Sequence, residues 1–373
     1  MRPTWAEIDL GAFDRNLDAI HARLPEGSRL IAVLKANGYG HGAAALARRC
    51  TPERVAMIAT ALLEEALELR EAGIALPLLV LGPVAEADIP AALDADIVLG
   101  IPGPEEIESA ARVARERDVR IHLELDSGMG RMGIVESELP RVAEILRGAP
   151  RLRVEAIYSH LANAGDVDDP FTDEQLARFH TLVETLREAG IVASLHHIAN
   201  SAATMRGLVA PGDFVRVGLA LLGADPLDRR ADVSSAPGRT GRPPSPILRW
   251  RTEIARLKEL PAGHAIGYGT TFHTTRPSRI ATLPVGYADG YNRLLSNRGE
   301  VLVRGRRAPV VGRVSMDLTT IDVTDVPDAR VGDEVILLGD EIRVEELARK
   351  LDTISYEVFC SISARVPRVY RDA

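Results

Sequence analysis

Leu30-Ile31-Ala32-Val33-Leu34-Lys35-Ala36-Asn37-Gly38-Tyr39-Gly40-His41-Gly42 begins with five apolar residues and ends in a turn studded with glycine. An apolar run of that length, bounded by turn signals, reads as a buried strand. The strand delivers a lysine at the point where it must end. The glycines allow a tight turn and close approach of the backbone to a ligand. A lysine at the mouth of an apolar strand is poorly solvated, which favours its neutral, nucleophilic form, the form a Schiff-base lysine needs. Taken alone, the stretch fits a surface lysine in a glycine-rich turn equally well, and its surroundings decide.

Outward from this strand the same unit recurs. Strand-like runs fall at 30–35, 55–60, 76–81, 96–99, 120–126, 154–160, 195–199 and 214–218, with helical patterns at 61–72, 104–117, 139–146 and 173–189 between them. Thr172 or Asp173 suits an N-cap for the last helix, and Gly73 and Gly190 suit C-terminal stops. Eight strands alternating with helices imply an α/β fold, a (β/α)8 barrel, with an open doubly wound sheet as the alternative. The segment 225–246, rich in Pro, Gly, Ser and Arg, breaks the pattern and reads as a linker or long loop. Beyond it, short alternating runs at 279–284, 301–303, 308–313, 318–323 and 334–338, with one helix at 344–350, suggest a mostly β module. The expected division is a barrel over residues 1–235 and a β-rich C-terminal domain over 236–373.

The 373 residues are 46% hydrophobic and 26% charged with a net charge of −8, which argues against nucleic acid or an anionic membrane as partner. The longest apolar stretch, Ala75 to Leu81, is far too short to span a bilayer, and the first residues do not read as a secretory signal. Cys50 and Cys360 form no CxxC pattern, which points to a reduced, cytoplasmic setting. The nine histidines form no HxH or HxxxH pair, so no metal site is expected.

Active sites of such barrels lie at the C-terminal ends of the strands. Those ends carry Lys35 and Tyr39, Ser127 to Arg131, Ser159 and His160, Asn200 and Ser201, then Arg216, Gly218 and Leu219. One lysine, two arginines, a histidine, hydroxyls and glycines would converge on one face. A lysine beside a phosphate site and an arginine suits pyridoxal phosphate, whose ring nitrogen needs a protein partner. Gly128-Met129-Gly130-Arg131-Met132-Gly133 also fits a dinucleotide-binding GxGxxG. Arg131 and two methionines crowd a loop that should hug a pyrophosphate, and the strand count favours a barrel.

The whole chain resembles the alanine racemase family. The matching blocks are VLKANGYGHG at 33–42, HLELDSGMGRMG at 122–133, YSHLANA at 158–164, IANSAA at 198–203 and VRVGLALLG at 215–223. IGYGTTF at 266–272, PVGYADGYNR at 284–293, VGRVSMD at 311–317 and ISYEVFCSISARVPR at 354–368 complete the set, in the family's order and across both expected domains.

The resemblance implies interconversion of L- and D-alanine, with D-alanine made for peptidoglycan or degraded. Lys35 would carry pyridoxal 5′-phosphate and act as one catalytic base. Tyr268 would be the other, reaching across a homodimer interface into the partner's site. Arg216 would face the pyridine nitrogen, and His160 would pack against the ring. Tyr39, Ser201, Gly218, Leu219 and Tyr356 map onto a phosphate cradle. Arg131 would reach the cofactor's phenolic oxygen or the substrate carboxylate. Tyr287 would gate the entrance, with Met316 offering backbone contact to that carboxylate and Asp317 holding its loop. Glu124 stands where many members of the family have a carboxylated lysine, and would support Arg131 with a shorter reach. The competing readings are a broad-specificity racemase, a fold-related decarboxylase and a non-catalytic pyridoxal-phosphate-binding protein. The last would lack the second domain and Tyr268.

Overall fold

The computed structural model describes residues 2–227 and 244–372. The chain begins with a strand, β1 (Thr4–Asp9), followed at once by the helix Leu10–His21, whose first turn is capped by the Asp9 carboxylate accepting from the Ala12 amide at 2.7 Å. Eight strands then follow: β2 (Arg29–Val33), β3 (Val55–Thr60), β4 (Leu78–Val80), β5 (Ile97–Ile101), β6 (Val119–Glu124), β7 (Leu152–Tyr158), β8 (Leu195–His197) and β9 (Phe214–Val217). They pair in parallel in the order β8-β7-β6-β5-β4-β3-β2-β9. The Arg216 amide donates to the Ala199 carbonyl at 2.9 Å and draws the two open edges together into a nearly closed barrel. Strands buried on both faces should read as unbroken apolar runs, and β5, Ile-Val-Leu-Gly-Ile, is buried at every position.

All eight barrel strands lie where the apolar runs put them, and the doubly wound alternative falls away. The helix expected from 173 starts earlier, at Phe171–Glu188, with Pro170 in the N-cap position. The Asp169 carboxylate accepts from the Phe171 amide at 2.9 Å there, so neither Thr172 nor Asp173 caps it.

The second domain is built on a six-stranded sheet ordered Arg306–Pro309, Glu300–Val303, Glu334–Leu338, Leu248–Glu253, β1, Arg368–Arg371. Thus β1 belongs to this sheet, antiparallel to Leu248–Glu253 and parallel to Arg368–Arg371, although residues 1–235 were expected to form the barrel. The boundary expected at 235/236, like most of the 225–246 loop, lies outside the described residues. A three-stranded sheet (Arg256–Leu260, Ser278–Leu283, Thr319–Asp322) and a small hairpin (Ala265–Ile266, Phe272–His273) complete the β layer. Trp250 and Tyr291, both fully buried, meet edge to face at 5.9 Å at its centre. One continuous apolar core runs from the barrel into this domain, so the segment Ser355–Ser361 is held firmly against the mouth of the barrel. Among the described residues no helix is long and apolar enough to cross a membrane.

Candidate active site

The C-terminal ends of the barrel strands open into a cavity of about 870 Å³. Lys35 stands at its floor, directly after β2, where the Leu34 amide still pairs with the Ala59 carbonyl of β3 at 2.9 Å. The backbone then coils left-handed through Ala36 (φ 51°), Asn37 (φ 53°), Gly38 (φ 61°) and Tyr39 (φ 52°). Each non-glycine residue held there costs on the order of 1–2 kcal/mol, so the surroundings must enforce the turn. Glu65 accepts from the Ala36 amide at 2.5 Å, the Asn37 side chain accepts from the Ala43 amide at 2.9 Å, and the Gly40 amide returns to the Ala36 carbonyl at 2.8 Å. This coil sends Lys35 and Tyr39 into the same cavity. Burial lowers the Lys35 pKa from its usual range, and the positive charges of Arg131 and Arg216 act in the same direction, against Glu65. The neutral amine is thereby easier to reach than in a free lysine.

Arg216, on β9, is 4% exposed. One terminal nitrogen donates to His197 Nδ1 at 2.7 Å and to the His197 carbonyl at 2.5 Å; the other donates to the Ser159 carbonyl at 2.6 Å and meets His160 Nδ1 at 3.2 Å. A guanidinium has five N–H donors and no acceptor. Four are committed to protein atoms, leaving Nε–H. Because Arg216 can only donate, His197 Nδ1 must accept. His197 Nε2 then carries the hydrogen and donates to His122 Nδ1, 2.9 Å away. Burial, followed by the charge of Arg216, pushes the pKa of His122 down to about 3 and that of His160 likewise to about 3. Arg216 is therefore a buried cation ringed by neutral acceptors.

Glu124, at the end of β6, is 6% exposed and accepts from the Tyr158 hydroxyl at 3.2 Å. Burial raises its pKa, and the Arg216 charge opposes that rise. Among the described residues no ion pair joins Glu124 to Arg131, although both line the cavity and the Arg131 charge also lowers the Glu124 pKa. The Tyr158 ring stacks on His197, with centroids 4.7 Å apart and planes 10° from parallel, so Glu124 leans on the Arg216 network. Arg131 sits exposed at the cavity wall, on a loop braced by the Asp126 carboxylate accepting from the Gly128 and Gly130 amides at 2.8 and 3.0 Å.

The cradle residues meet on the opposite wall. A Cβ built on Gly218 would lie 2.7 Å from the Tyr39 hydroxyl, so only glycine leaves that hydroxyl its place. Ser201 Oγ accepts from the Gly218 amide at 3.1 Å, Leu219 follows in the next turn, and the Tyr39 and Tyr356 rings stand 5.5 Å apart. Hydroxyls and amides gathered this way can hold a phosphate dianion without a metal. Arg131 and Arg216 supply positive charge, and burial raises the pKa of the Glu124 carboxyl beside them. The cavity therefore fits pyridoxal phosphate: an amine of lowered pKa, a spare guanidinium donor and a phosphate-sized group of hydroxyls.

Tyr268, Tyr287, Met316 and Asp317 do not line this cavity. Tyr268 is 73% exposed on the turn after Ala265–Ile266, and Met316 is 53% exposed. Tyr287 and Met316 are tied into one surface by the Tyr287 amide donating to the Ser315 carbonyl and the Ala288 amide to the Met316 carbonyl, each at 3.0 Å. Asp317 accepts from Arg365 at 2.8 Å. The barrel-side residues thus converge, joined by Tyr356 from the β domain, while Tyr268, Tyr287, Met316 and Asp317 stay outside the cavity. The sequence reading did not single out His122, Tyr158 or His197. Their only local signal was a polar residue inside an otherwise apolar strand.

Two sequence-family models cover the chain: alanine racemase, N-terminal domain, over residues 8–226, and alanine racemase, C-terminal domain, over 247–370. The chain is 43% identical to an alanine racemase of Symbiobacterium thermophilum over 99% of its own length and 97% of that protein's. It superposes with a TM-score of 0.90 on the alanine racemase of Bacillus anthracis with bound L-Ala-P, at 37% identity over 100% of this chain and 95% of that one. The alanine racemase of Bartonella henselae with covalently bound pyridoxal phosphate matches with a TM-score of 0.89 at 27% identity over the full length of both chains.

Proposed function

Because the chain belongs to the alanine racemase family, a pyridoxal-phosphate-dependent family interconverting L- and D-alanine, we propose that Lys35 and Tyr268 are its two acid–base groups, brought together by two copies of the chain. The cofactor, when bound, supplies the electron sink that makes the α-hydrogen of an amino acid labile. Inverting a stereocentre requires a proton to leave on one side and return on the other, so two groups are needed. Lys35 Nζ, its pKa lowered by burial, holds the cofactor and exchanges the proton on one side. The Tyr268 oxygen serves the other.

The observation that carries this assignment is the division of the residues. Lys35, Arg216, Tyr39 and Ser201 share one cavity, and Tyr268 stands exposed outside it. A partner subunit turned so that its Tyr268, Tyr287 and Met316 cover the cavity would complete the site and shield it from water. A homodimer with shared sites follows from this. Tyr39, Ser201, Tyr356 and the amides near Gly218 and Leu219 would hold the phosphate, and His160 would pack against the ring. Arg216 would give Nε–H to the ring nitrogen without surrendering a proton, which keeps the sink weak and favours prompt return of the proton over side reactions. Arg131 would meet the substrate carboxylate or the phenolic oxygen. D-alanine made this way would feed cell-wall synthesis, and the reverse direction would remove it.

The test is subunit complementation. Lys35→Ala should lose both the bound cofactor's visible absorbance and the activity. Tyr268→Phe should keep the absorbance and lose turnover. Mixing the two variants under subunit exchange should restore part of the activity, since one site in each mixed dimer has both groups. Mixed dimers that form but stay inactive would place Lys35 and Tyr268 in one chain's site.

A further inference from the structure

We propose that Arg368 is a positioning residue for the cofactor-binding turn, riveting the helix Ser355–Ser361 to the coil that carries Lys35 and Tyr39. Its guanidinium joins four backbone carbonyls. Nε donates to Gly40 at 2.8 Å, one terminal nitrogen to Ser363 at 2.6 Å and Val366 at 2.7 Å, and the other to Ile362 at 2.6 Å. No ion pair with a carboxylate is present among the described residues, so the side chain is spent on holding backbone.

The acceptors come from both domains. Gly40 closes the left-handed coil, with φ 81°, and Ile362 is the C-cap of Ser355–Ser361. A cation at a helix C-terminus satisfies orphan carbonyls and complements the helix dipole. The two elements are pressed together, since a Cβ on Gly40 would lie 2.9 Å from the Phe359 carbonyl. Tyr370, two residues further on, donates its hydroxyl to the His41 carbonyl at 3.3 Å and seals the same joint. Tyr356, on the helix, and Tyr39, on the coil, bring their rings within 5.5 Å of each other, with Lys35 four residues before Tyr39. Without the rivet, the strained coil would have no donor from Arg368 at Gly40, and the two tyrosines would lose their common frame. Lysine keeps the charge but cannot serve four carbonyls from one planar fork.

The proposal rests on Lys35 being the cofactor lysine, and the experiment separates the two. Cofactor-free full-length protein is titrated with pyridoxal phosphate, binding being followed by visible absorbance, for Arg368→Lys, Arg368→Met and Arg279→Lys. Arg279 also donates to carbonyls, those of Val326, Pro327 and Ala329, and serves as a matched structural control. The Arg368 variants should bind the cofactor roughly ten- to a hundredfold more weakly, and saturating cofactor should recover most of kcat. Arg279→Lys should lower the melting temperature and leave cofactor affinity unchanged. Unchanged affinity in both Arg368 variants, or an equal loss in Arg279→Lys, would overturn the proposal. Should the Arg368 variants not fold, hydrogen exchange on the unaltered chain decides. Cofactor should slow the amides of 38–42 and of 362–366 together, and protection confined to 38–42 overturns the rivet. Lys35→Ala retaining the absorbance would instead overturn the cofactor assignment.

Discussion

Removing the Glu124 side chain would take away an acceptor from a buried tyrosine whose ring is the stacking surface of His197. The Tyr158 hydroxyl would be left with only the longer bond to the Leu81 carbonyl at 3.5 Å, a loss of about 1 kcal/mol, and the ring would be free to shift. Glu124→Ala should therefore lower turnover, by about tenfold if a single kcal-scale contact to the Arg216 network is lost. Glu124→Gln keeps an acceptor for Tyr158 and should retain most activity. Steady-state kinetics of the pair checks this, and unchanged turnover in the alanine variant would remove Glu124 from the site. Lys35, Arg216 and His160 were legible in the sequence because barrels present chemistry at strand ends. The His122–His197 relay was not, since it depends on which residues of β6 and β8 point inward across the barrel. Likewise no local pattern marks Arg368 as more than one arginine among many.

The decisive elements are the short connections after the strands rather than the strands themselves. The stretch from Gly218 illustrates how little room they leave. Gly218→Ala should push the Tyr39 ring aside, as the new Cβ would stand 2.7 Å from its hydroxyl and 3.0 Å from a ring carbon. Overpacking of that kind costs about 1–3 kcal/mol. Its expected signature is weaker pyridoxal phosphate binding, read by titration, with a smaller change in melting temperature. A variant binding cofactor as tightly as the parent would mean that Tyr39 has another place to go. The barrel strands were readable because burial on both faces makes them unbroken apolar runs. Arg256–Leu260 was missed because Arg-Leu-Lys-Glu-Leu lies on an edge and is largely exposed. Ser355–Ser361 was missed because seven residues are too few to display a helical period. The strand Thr4–Asp9 alternates buried and half-exposed positions cleanly, yet nothing near it in sequence reveals which sheet receives it.

For the molecule as a whole, acid should be the sensitive direction. His41, His122 and His160 are held by burial at pKa values of about 4, 3 and 3, and His197 is held well below the ordinary 6.5. Each is depressed in the folded state, so the unfolded chain binds the extra protons between roughly pH 6.5 and the folded values. Stability is then full above pH 6.5 and falls as the pH drops through that window, by up to about 1.4 kcal/mol per pH unit per histidine. The raised pKa of Glu124 has the opposite sign and offsets part of the slope. Melting curves from pH 7.5 to 5 should show the decline, and a flat profile across that range would contradict the buried neutral histidines. At this scale the sequence could suggest a dimer only through family resemblance. That Tyr268 and Met316 stand exposed, apart from the cavity that holds Lys35, could be seen only in the fold.

The position of β1 has a consequence for synthesis. Ile8 pairs opposite Leu248 and beside Tyr370, so this strand finds its neighbours only after the long stretch of chain between them has been made. At ordinary elongation rates the wait is roughly ten seconds to a minute. Meanwhile the apolar edge of Ala6 and Ile8 stays uncovered while the nascent barrel can already form behind it. Completion of the β layer therefore waits for Leu248–Glu253 and Arg368–Arg371, and a chain stalled before them would carry an uncovered apolar strand for chaperones to bind.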